Sequence, residues 1–534
     1  MQEPSPLHRR RRIQGSSRPP LSRDPLLYGV VLIGFAACAP FFRYVSSLGD
    51  EGVLLHGAVR ILGGEALYRD FFGILPPGGY LIVTGWMKLF GVGFACVRAL
   101  AVGVIVGIAA LIYAAARLSS GSRPLAALVA ITWAVLSQGA LTVINHHWFT
   151  TAASMASAVG LLLVVDGAPR RGAAFVAGLF AGIAAMVSST RGALMCVTLL
   201  AVLLTLRAGR ARLLSAMAGM ALFPTAMILY VAANAALAAA FDDVILYPAL
   251  HYAGIQAVPF GTGASPQHLA LVALFPVAFV LAGAALALNR VALWRDPRFR
   301  ASLALAIVGL LGSYPRPDHV HLSFTVPLAC PLFALTVLDI RGPGRIAVGA
   351  LLSGLCLVGL AAAIATALLV SSSPAVATAR GPIVPDRDLP APDFAALMFQ
   401  LDGIPTGSAF FFYPYSPLLP YLTGRRHAAA VDVMIPGYTS AEQFRDTCMR
   451  VATEAEWVVI DRKWSPSFFH RIFPAVRDPD PPEKRDFEAA LRVAFDKIVH
   501  VSTRFELRQR SGQPPGGAPR QDLASARSVC FQTR

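Results

Sequence analysis

Two adjacent carboxylates, Asp50 and Glu51, stand in the stretch Ser47-Leu48-Gly49-Asp50-Glu51-Gly52. A carboxylate beside an apolar run and partly shielded from water can take a proton from an attacking hydroxyl. An acidic pair solvated at a helix end is the competing reading. The same region continues with Gly64-Glu65-Ala66-Leu67-Tyr68-Arg69-Asp70, then Pro76-Pro77-Gly78-Gly79-Tyr80, and reaches Arg98. Cations that can face a phosphate recur further on. Arg191 follows Ser188-Ser189-Thr190, and Arg316 is held between Pro315 and Pro317. Interfacial snorkelling explains Arg191 equally well. Lys88 and Arg98 lie behind the first acidic stretch and are expected to close the same pocket.

His146 and His147 precede Trp148, and Asp318, His319 and His321 form a second polar knot. Adjacent histidines project differently, so hydrogen bonding to substrate fits them better than joint ligation of an ion. The chain lacks the ligand spacing of a metal site, and its seven cysteines form no CxxC. No cofactor is implied, and a divalent metal stays an open question. No GxxxxGK[ST] loop occurs either, which argues against nucleotide hydrolysis.

These groups need elements to position them, and composition says which kind. The chain has 534 residues, 55% hydrophobic and only 14% charged, with mean hydropathy +0.59. Soluble domains carry about 25% charged residues, so an ordinary soluble enzyme is excluded. Apolar runs of membrane-spanning length, roughly 20 residues each, recur from Leu26 to Val370. The net charge of +16 is explained by arginines in short cytoplasmic loops rather than by nucleic acid. With the basic segment 1–25 placed inside, the runs read as about eleven spans. The first four cover 26–43, 94–116, 125–143 and 149–165, and a short apolar segment, 79–91, reads as a helix at the outer surface. The fifth and sixth form a hairpin tipped by Ser188 to Arg191, and the seventh covers 213–239. The eighth ends near Arg290 to Arg300, and the ninth is interrupted by Tyr314 to His321. The tenth ends at Arg341 and Arg345, and the eleventh covers 346–370. Every arginine-rich short loop then falls on one side. Asp50, Glu51, Asp70, Lys88, Arg98, His146, His147, Arg191, Arg316, Asp318 and His319 fall on the other, where ionisable residues at membrane level point to function.

The fold class is therefore a polytopic α-helical membrane protein with a C-terminal extracytoplasmic α/β domain. Residues 26–370 form the membrane domain, with an outer loop at 44–78; 371–392 is a proline-rich linker, and 393–534 the outer domain, with a mobile end from about 511. Within that domain, Ser408 to Tyr413 and Trp457 to Ile460 read as buried strands. Thr439 to Glu456 and Pro481 to Ala494 read as helices. Cys448 and Cys530 share an oxidising compartment, where a disulfide between them is an even chance. Asp242-Asp243, followed by Tyr247, His251, Tyr252 and Gln256, fits a sugar or lipid entrance and an ordinary loop equally well.

The outer acidic pair after the first span, the Gly-x-x-x-Tyr-x-Asp step and the Pro-Pro-Gly-x-Tyr entry resemble the GT-C membrane glycosyltransferases. Among these are the protein O-mannosyltransferases and the lipid A aminoarabinose transferases. Tyr421-Leu422-Thr423-Gly424-Arg425-Arg426 and Pro436-Gly437-Tyr438 are similar to the outer domain of bacterial members. The resemblance implies a GT-C-like fold, a polyprenyl-phosphate-linked sugar as donor, an extracytoplasmic acceptor and an inner-membrane location. It makes Asp50 the base, with Glu51 beside it, and Arg191, Arg316, Lys88 and Arg98 the donor-phosphate groups. Asp70, Tyr80, His146, His147, Asp318 and His319 would bind substrate. No second acidic motif stands between the third and fourth spans, a departure from some relatives. A lipid-linked glycan transporter, or a polymerase or ligase with no Asp50-dependent step, is the alternative.

Overall fold

Long runs of Ala, Leu, Val and Gly satisfy their backbone polar groups internally only as helices when water is excluded. The computed structural model describes residues 20–137, 141–167, 171–264, 268–338, 340, 343–511 and 530. The N-terminal arginine run, Arg341 and most of the stretch beyond 511 lie outside the described residues.

Along the described residues, the apolar runs between 26 and 370 fold as helices. Among the described residues, six helices are long and apolar enough to cross a membrane: Phe94–Ser120, His146–Val165, Arg210–Ala233, Leu269–Leu288, His319–Val337 and Ile346–Ser372. Four shorter apolar helices accompany them, Pro25–Phe41, Arg123–Ser137, Arg171–Ala185 and Ser189–Thr205. The helix from His319 changes to a 3-10 turn at Val326–Ala329 before resuming at Cys330–Val337. Pro327 and Pro331 explain this, since neither offers an N–H to a helical ladder.

Small residues let several helices approach closely. A Cβ on Gly178 would lie 1.9 Å from the Ala216 carbonyl oxygen, and one on Gly219 would lie 2.2 Å from that of Phe175. The helices Arg171–Ala185 and Arg210–Ala233 thus pack backbone to backbone, as small residues permit within membranes. Gly78 plays the same part at the end of the bundle. Its N–H donates to the Met186 carbonyl at 2.7 Å, and a Cβ there would sit 2.4 Å from that oxygen. The first loop is thereby pressed against the hairpin that carries Arg191.

The tail builds a five-stranded sheet in the order β4-β3-β5-β7-β6. Its strands are β3 (Ala409–Tyr413), β4 (Arg426–His427), β5 (Trp457–Asp461), β6 (Lys497–Val501) and β7 (Phe505–Gln509). β3 runs parallel to β4 and β5, while β7 is antiparallel to both β5 and β6. β3 is buried along its whole length, which its unbroken apolar sequence requires. Phe411 and Tyr413 pack with Phe444, Val451, Phe487 and Leu491 of the helices Ala441–Glu454 and Pro482–Ala494. The Ser440–Gln443 capping box starts the first of these helices. A Cys448–Cys530 disulfide ties it to the end of the chain, with Cα atoms 5.9 Å apart.

The other face of β3 packs differently. Phe410 and Phe412 share one core with Leu54, Leu55, Tyr80, Phe94 and Val97 of the first loop and the helix behind it. The proline-rich stretch 371–392, expected to be an unstructured linker, is built into this junction. Its β2 (Val384–Pro385) pairs in parallel with β1 (Tyr44–Val45), just after the first apolar helix. Backbone pairing organises the stretch where side-chain periodicity is absent.

Candidate active site

The first outer loop folds into a helix, Asp50–Leu62, with both acids in its first turn. Negative groups are favoured there by the helix dipole. Successive helical residues point about 100° apart, so the two acids have opposite fates. Asp50 is exposed, whereas Glu51 is buried.

Glu51 Oε2 accepts a hydrogen bond from Arg98 Nη2 at 2.8 Å, and Glu51 Oε1 accepts from the Ile144 N–H at 2.9 Å. Arg98 also donates to the carbonyls of Thr142 and Tyr44, and it is fully buried over the Phe94 ring. Burial raises the Glu51 carboxyl above its usual range, and Arg98 and the Ile144 N–H offset this in part. The pair corrects two expectations. Glu51 does not stand beside Asp50 as a second reactive group, and Arg98 does not face a phosphate, because each consumes the charge of the other.

Three further residues belong to the scaffold of the loop. Tyr80 is buried against Phe71 and against Gly57, where a Cβ would meet its ring at 2.6 Å. Asp70 closes the turn from Ala66 through its N–H at 2.7 Å and pairs with Arg69. Arg69 first, then the Ala66 N–H, holds the Asp70 carboxyl down at about 2. Lys88 is exposed in the last turn of the helix Pro77–Phe90, about 16 Å along its axis from the end that touches the hairpin. Tyr80 lies within electrostatic reach of Asp432 and Tyr438, and Asp70 lines a cleft beside the loop.

Asp50, Arg191, Arg316 and Asp318 all lie within electrostatic reach of Tyr252. Burial pushes the Tyr252 hydroxyl up to about 12; Asp50 adds to this, and Arg316 and Arg191 oppose it. Arg191 Nε donates to the Gly312 carbonyl at 2.7 Å, while its Nη1 is buried without a hydrogen-bond partner. His147 Nδ1 is likewise buried and unpartnered. The His147 ring stacks at 3.8 Å between centroids on His146 and meets His321 at 5.0 Å. Buried polar atoms rarely go unsatisfied, and Arg191 lies within electrostatic reach of both histidines.

Arg316 and Asp318 form a second charged pair within reach of Tyr252. Arg316 donates to Asp318 Oδ2 at 2.8 Å, to Gln256 Oε1 at 3.3 Å and to the Ile472 carbonyl at 2.9 Å. Asp318 caps the helix His319–Thr325 and accepts from the His321 N–H at 2.9 Å. Its carboxyl is held well below the usual range by His321 and Arg316, although burial alone would raise it. His319 points away, toward His268 and the Thr262 carbonyl. Among the described residues, no group of three or more His, Cys, Asp or Glu is placed to hold a metal ion.

The tail contributes Tyr415 and Asp432, which the sequence had not singled out, and Tyr438 of the Pro436-Gly437-Tyr438 step. The Tyr415 hydroxyl donates to Asp50 Oδ1, and Tyr438 meets Tyr252 edge to face at 5.6 Å. Deeper in the same junction, Asp432 accepts from His56 Nδ1 at 3.0 Å and lies near Arg60 and His427. Those three groups hold Asp432 well below its usual range, although burial alone would raise it. A separate cleft of about 380 Å³, lined by Asp70, Phe72, Asp243, Gln443 and Arg450, opens beside the loop. Burial pushes Asp243 up to about 7; the neighbouring Asp242 adds to this and the Gly73 N–H opposes it.

No family model and no curated protein sequence matches the chain. Solved structures do match in shape. ArnT from Cupriavidus metallidurans, crystallised with undecaprenyl phosphate, aligns with TM-score 0.54 and 12% identity over 92% of this chain and 98% of that one. The Archaeoglobus fulgidus oligosaccharyltransferase, in complex with zinc and sulfate, aligns with TM-score 0.51 and 13% identity over 90% of this chain and 72% of that one. The chain shares the GT-C fold of these two structures.

Two outcomes follow from the geometry. Arg98→Met leaves Glu51 buried without its partner and is expected to cost roughly 3–5 kcal/mol, read as a lower unfolding temperature in detergent. The double variant Glu51→Leu/Arg98→Met recovers most of the loss; a fully stable Arg98→Met would contradict the pairing. Asp243 is held protonated by the fold, so its contribution is complete below the ordinary carboxylate value of about 4. It is lost as pH rises through about 7. Asp243→Asn is expected to flatten the stability–pH curve across that interval, and an unchanged slope would count against the assignment.

Proposed function

We propose that this protein transfers a sugar from a polyprenyl-phosphate donor to an acceptor outside the cytoplasm. The observation that carries the reading is the buried Arg191, with a guanidinium nitrogen that has no hydrogen-bond partner among the described residues, close to His147 and lying with the exposed carboxylate Asp50 near Tyr252. The GT-C fold supports it, as does the ArnT neighbour, which was solved with a lipid phosphate bound.

In this reading the acceptor oxygen attacks the anomeric carbon and its proton passes to Asp50. The bond from that carbon to the phosphate oxygen breaks, and the electron pair leaves with polyprenyl phosphate. Direct displacement inverts the anomeric centre. Arg191 and Arg316 stabilise charge as it develops on the departing phosphate, and His147 supplies a hydrogen bond. Asp318 and His321 fix Arg316, while Glu51 and Arg98 fix the helix that presents Asp50. His146 supports His147 from behind. The arginine-rich loops support a cytoplasmic N-terminus and cytoplasmic short loops, and the disulfide suits a tail in an oxidising compartment.

Envelope glycans compared by mass spectrometry in wild type, a deletion strain and Asp50→Asn at matched protein level test the proposal. Deletion and Asp50→Asn are expected to lose the same sugar, since a placed base contributes roughly 10²–10⁴-fold. Loss on deletion with the sugar intact in Asp50→Asn would overturn the reading in favour of transport or polymerisation.

A further inference from the structure

We infer that Tyr415, on the turn after β3, is a positioning residue for Asp50: its phenol occupies one carboxylate oxygen and leaves the other to receive the acceptor's proton. The inference rests on the reading of Asp50 as base. It names a tail residue, far away in sequence, as part of the reactive geometry.

Asp50 is exposed and, among the described residues, forms no ion pair; the Tyr415 hydroxyl donates to its Oδ1. An exposed aspartate at a helix start samples several rotamers, and only some point an oxygen at a substrate. A phenol fixed from the opposite side removes that freedom. Tyr415 is itself well seated. Its ring packs on Trp464 with centroids 5.2 Å apart, and Gly49 leaves room for it, since a Cβ there would lie 3.1 Å from the ring. The next residue, Ser416, donates to Asp461 Oδ2 at 3.1 Å, and Arg504 pairs with the same carboxylate at 3.0 Å. The Leu418 N–H donates to the Leu48 carbonyl at 3.0 Å. Gly52 permits this approach, because a Cβ there would sit 2.0 Å from the Leu418 nitrogen.

The phenol stays a donor throughout. Burial, then the Asp50 charge, holds Tyr415 well above the usual tyrosine range. Tyr252 borders both groups, and Tyr438 also lies near Tyr415. The hydrogen bond from this seated phenol aims the Asp50 carboxylate.

The test uses the full chain in detergent with a lipid extract bearing polyprenyl-phosphate sugars and an envelope acceptor fraction, and reads release of polyprenyl phosphate against donor concentration. Tyr415→Phe is expected to lower maximal release by about 10-fold, the loss of one hydrogen bond to a charged group, with half-saturation for the donor unchanged. Fluorotyrosine at position 415 keeps the donor and is expected to retain release. Full release by a Tyr415→Phe chain, or a loss in the fluorotyrosine chain equal to that of Tyr415→Phe, overturns the inference while leaving Asp50 as base. Retention of the envelope sugar in Asp50→Asn overturns the base and the inference together.

Discussion

One buried ion pair sets the geometry on which the rest depends. Glu51 and Arg98 join three pieces of chain: the first-loop helix, the helix Phe94–Ser120 and the backbone of 142–144 just before His146. Two charges removed from water cost several kcal/mol each unless paired and hydrogen-bonded, so this pair tolerates few arrangements. Asp50 is the neighbour of Glu51, and Asn145, His146 and His147 follow Ile144. A pair that fixes Glu51 and Ile144 therefore fixes the proposed base and the histidines relative to each other.

The second constraint is the merger of the tail with the first loop. β3 turns Phe410 and Phe412 into the core that holds Leu54, Leu55 and Tyr80. The His56–Asp432 contact adds a charged lock across the same seam. Burying an apolar side chain contributes roughly 1.5–3 kcal/mol, and many are shared here, so the tail and the loop stabilise each other. This gives the sheet a role in positioning as well as in solubility, since Tyr415 and Tyr438 reach the pocket from it.

Local pattern in the sequence located the apolar helices, the strands around Phe410 and Val458, and the helices after Ser440 and Pro481, because each has a periodicity or a cap within its own span. Asp50, Arg191, Arg316, Asp318, His146 and His147 were expected on one side because ionisable residues at membrane level are costly; the structure brings Asp50, Arg191, Arg316 and Asp318 near Tyr252. Glu51 and Arg98 were misjudged for a physical reason. Adjacent helical residues face different directions, and sequence does not say which one turns inward. Tyr415, Asp432 and the pairing of β1 with β2 were illegible, since each depends on contacts between segments hundreds of residues apart. No local pattern carries that information.

The central claim is that Asp50 drives release of a lipid phosphate by activating an acceptor, and product release measures it most directly. Full-length protein would be incubated with a lipid extract bearing polyprenyl-phosphate sugars and with an envelope acceptor fraction. The account predicts polyprenyl phosphate and transferred sugar in equal amounts from wild type. It predicts release lowered by roughly 100-fold or more in Asp50→Asn, with lipid binding retained. Undiminished release from Asp50→Asn, or polyprenyl diphosphate as the lipid product, would contradict it.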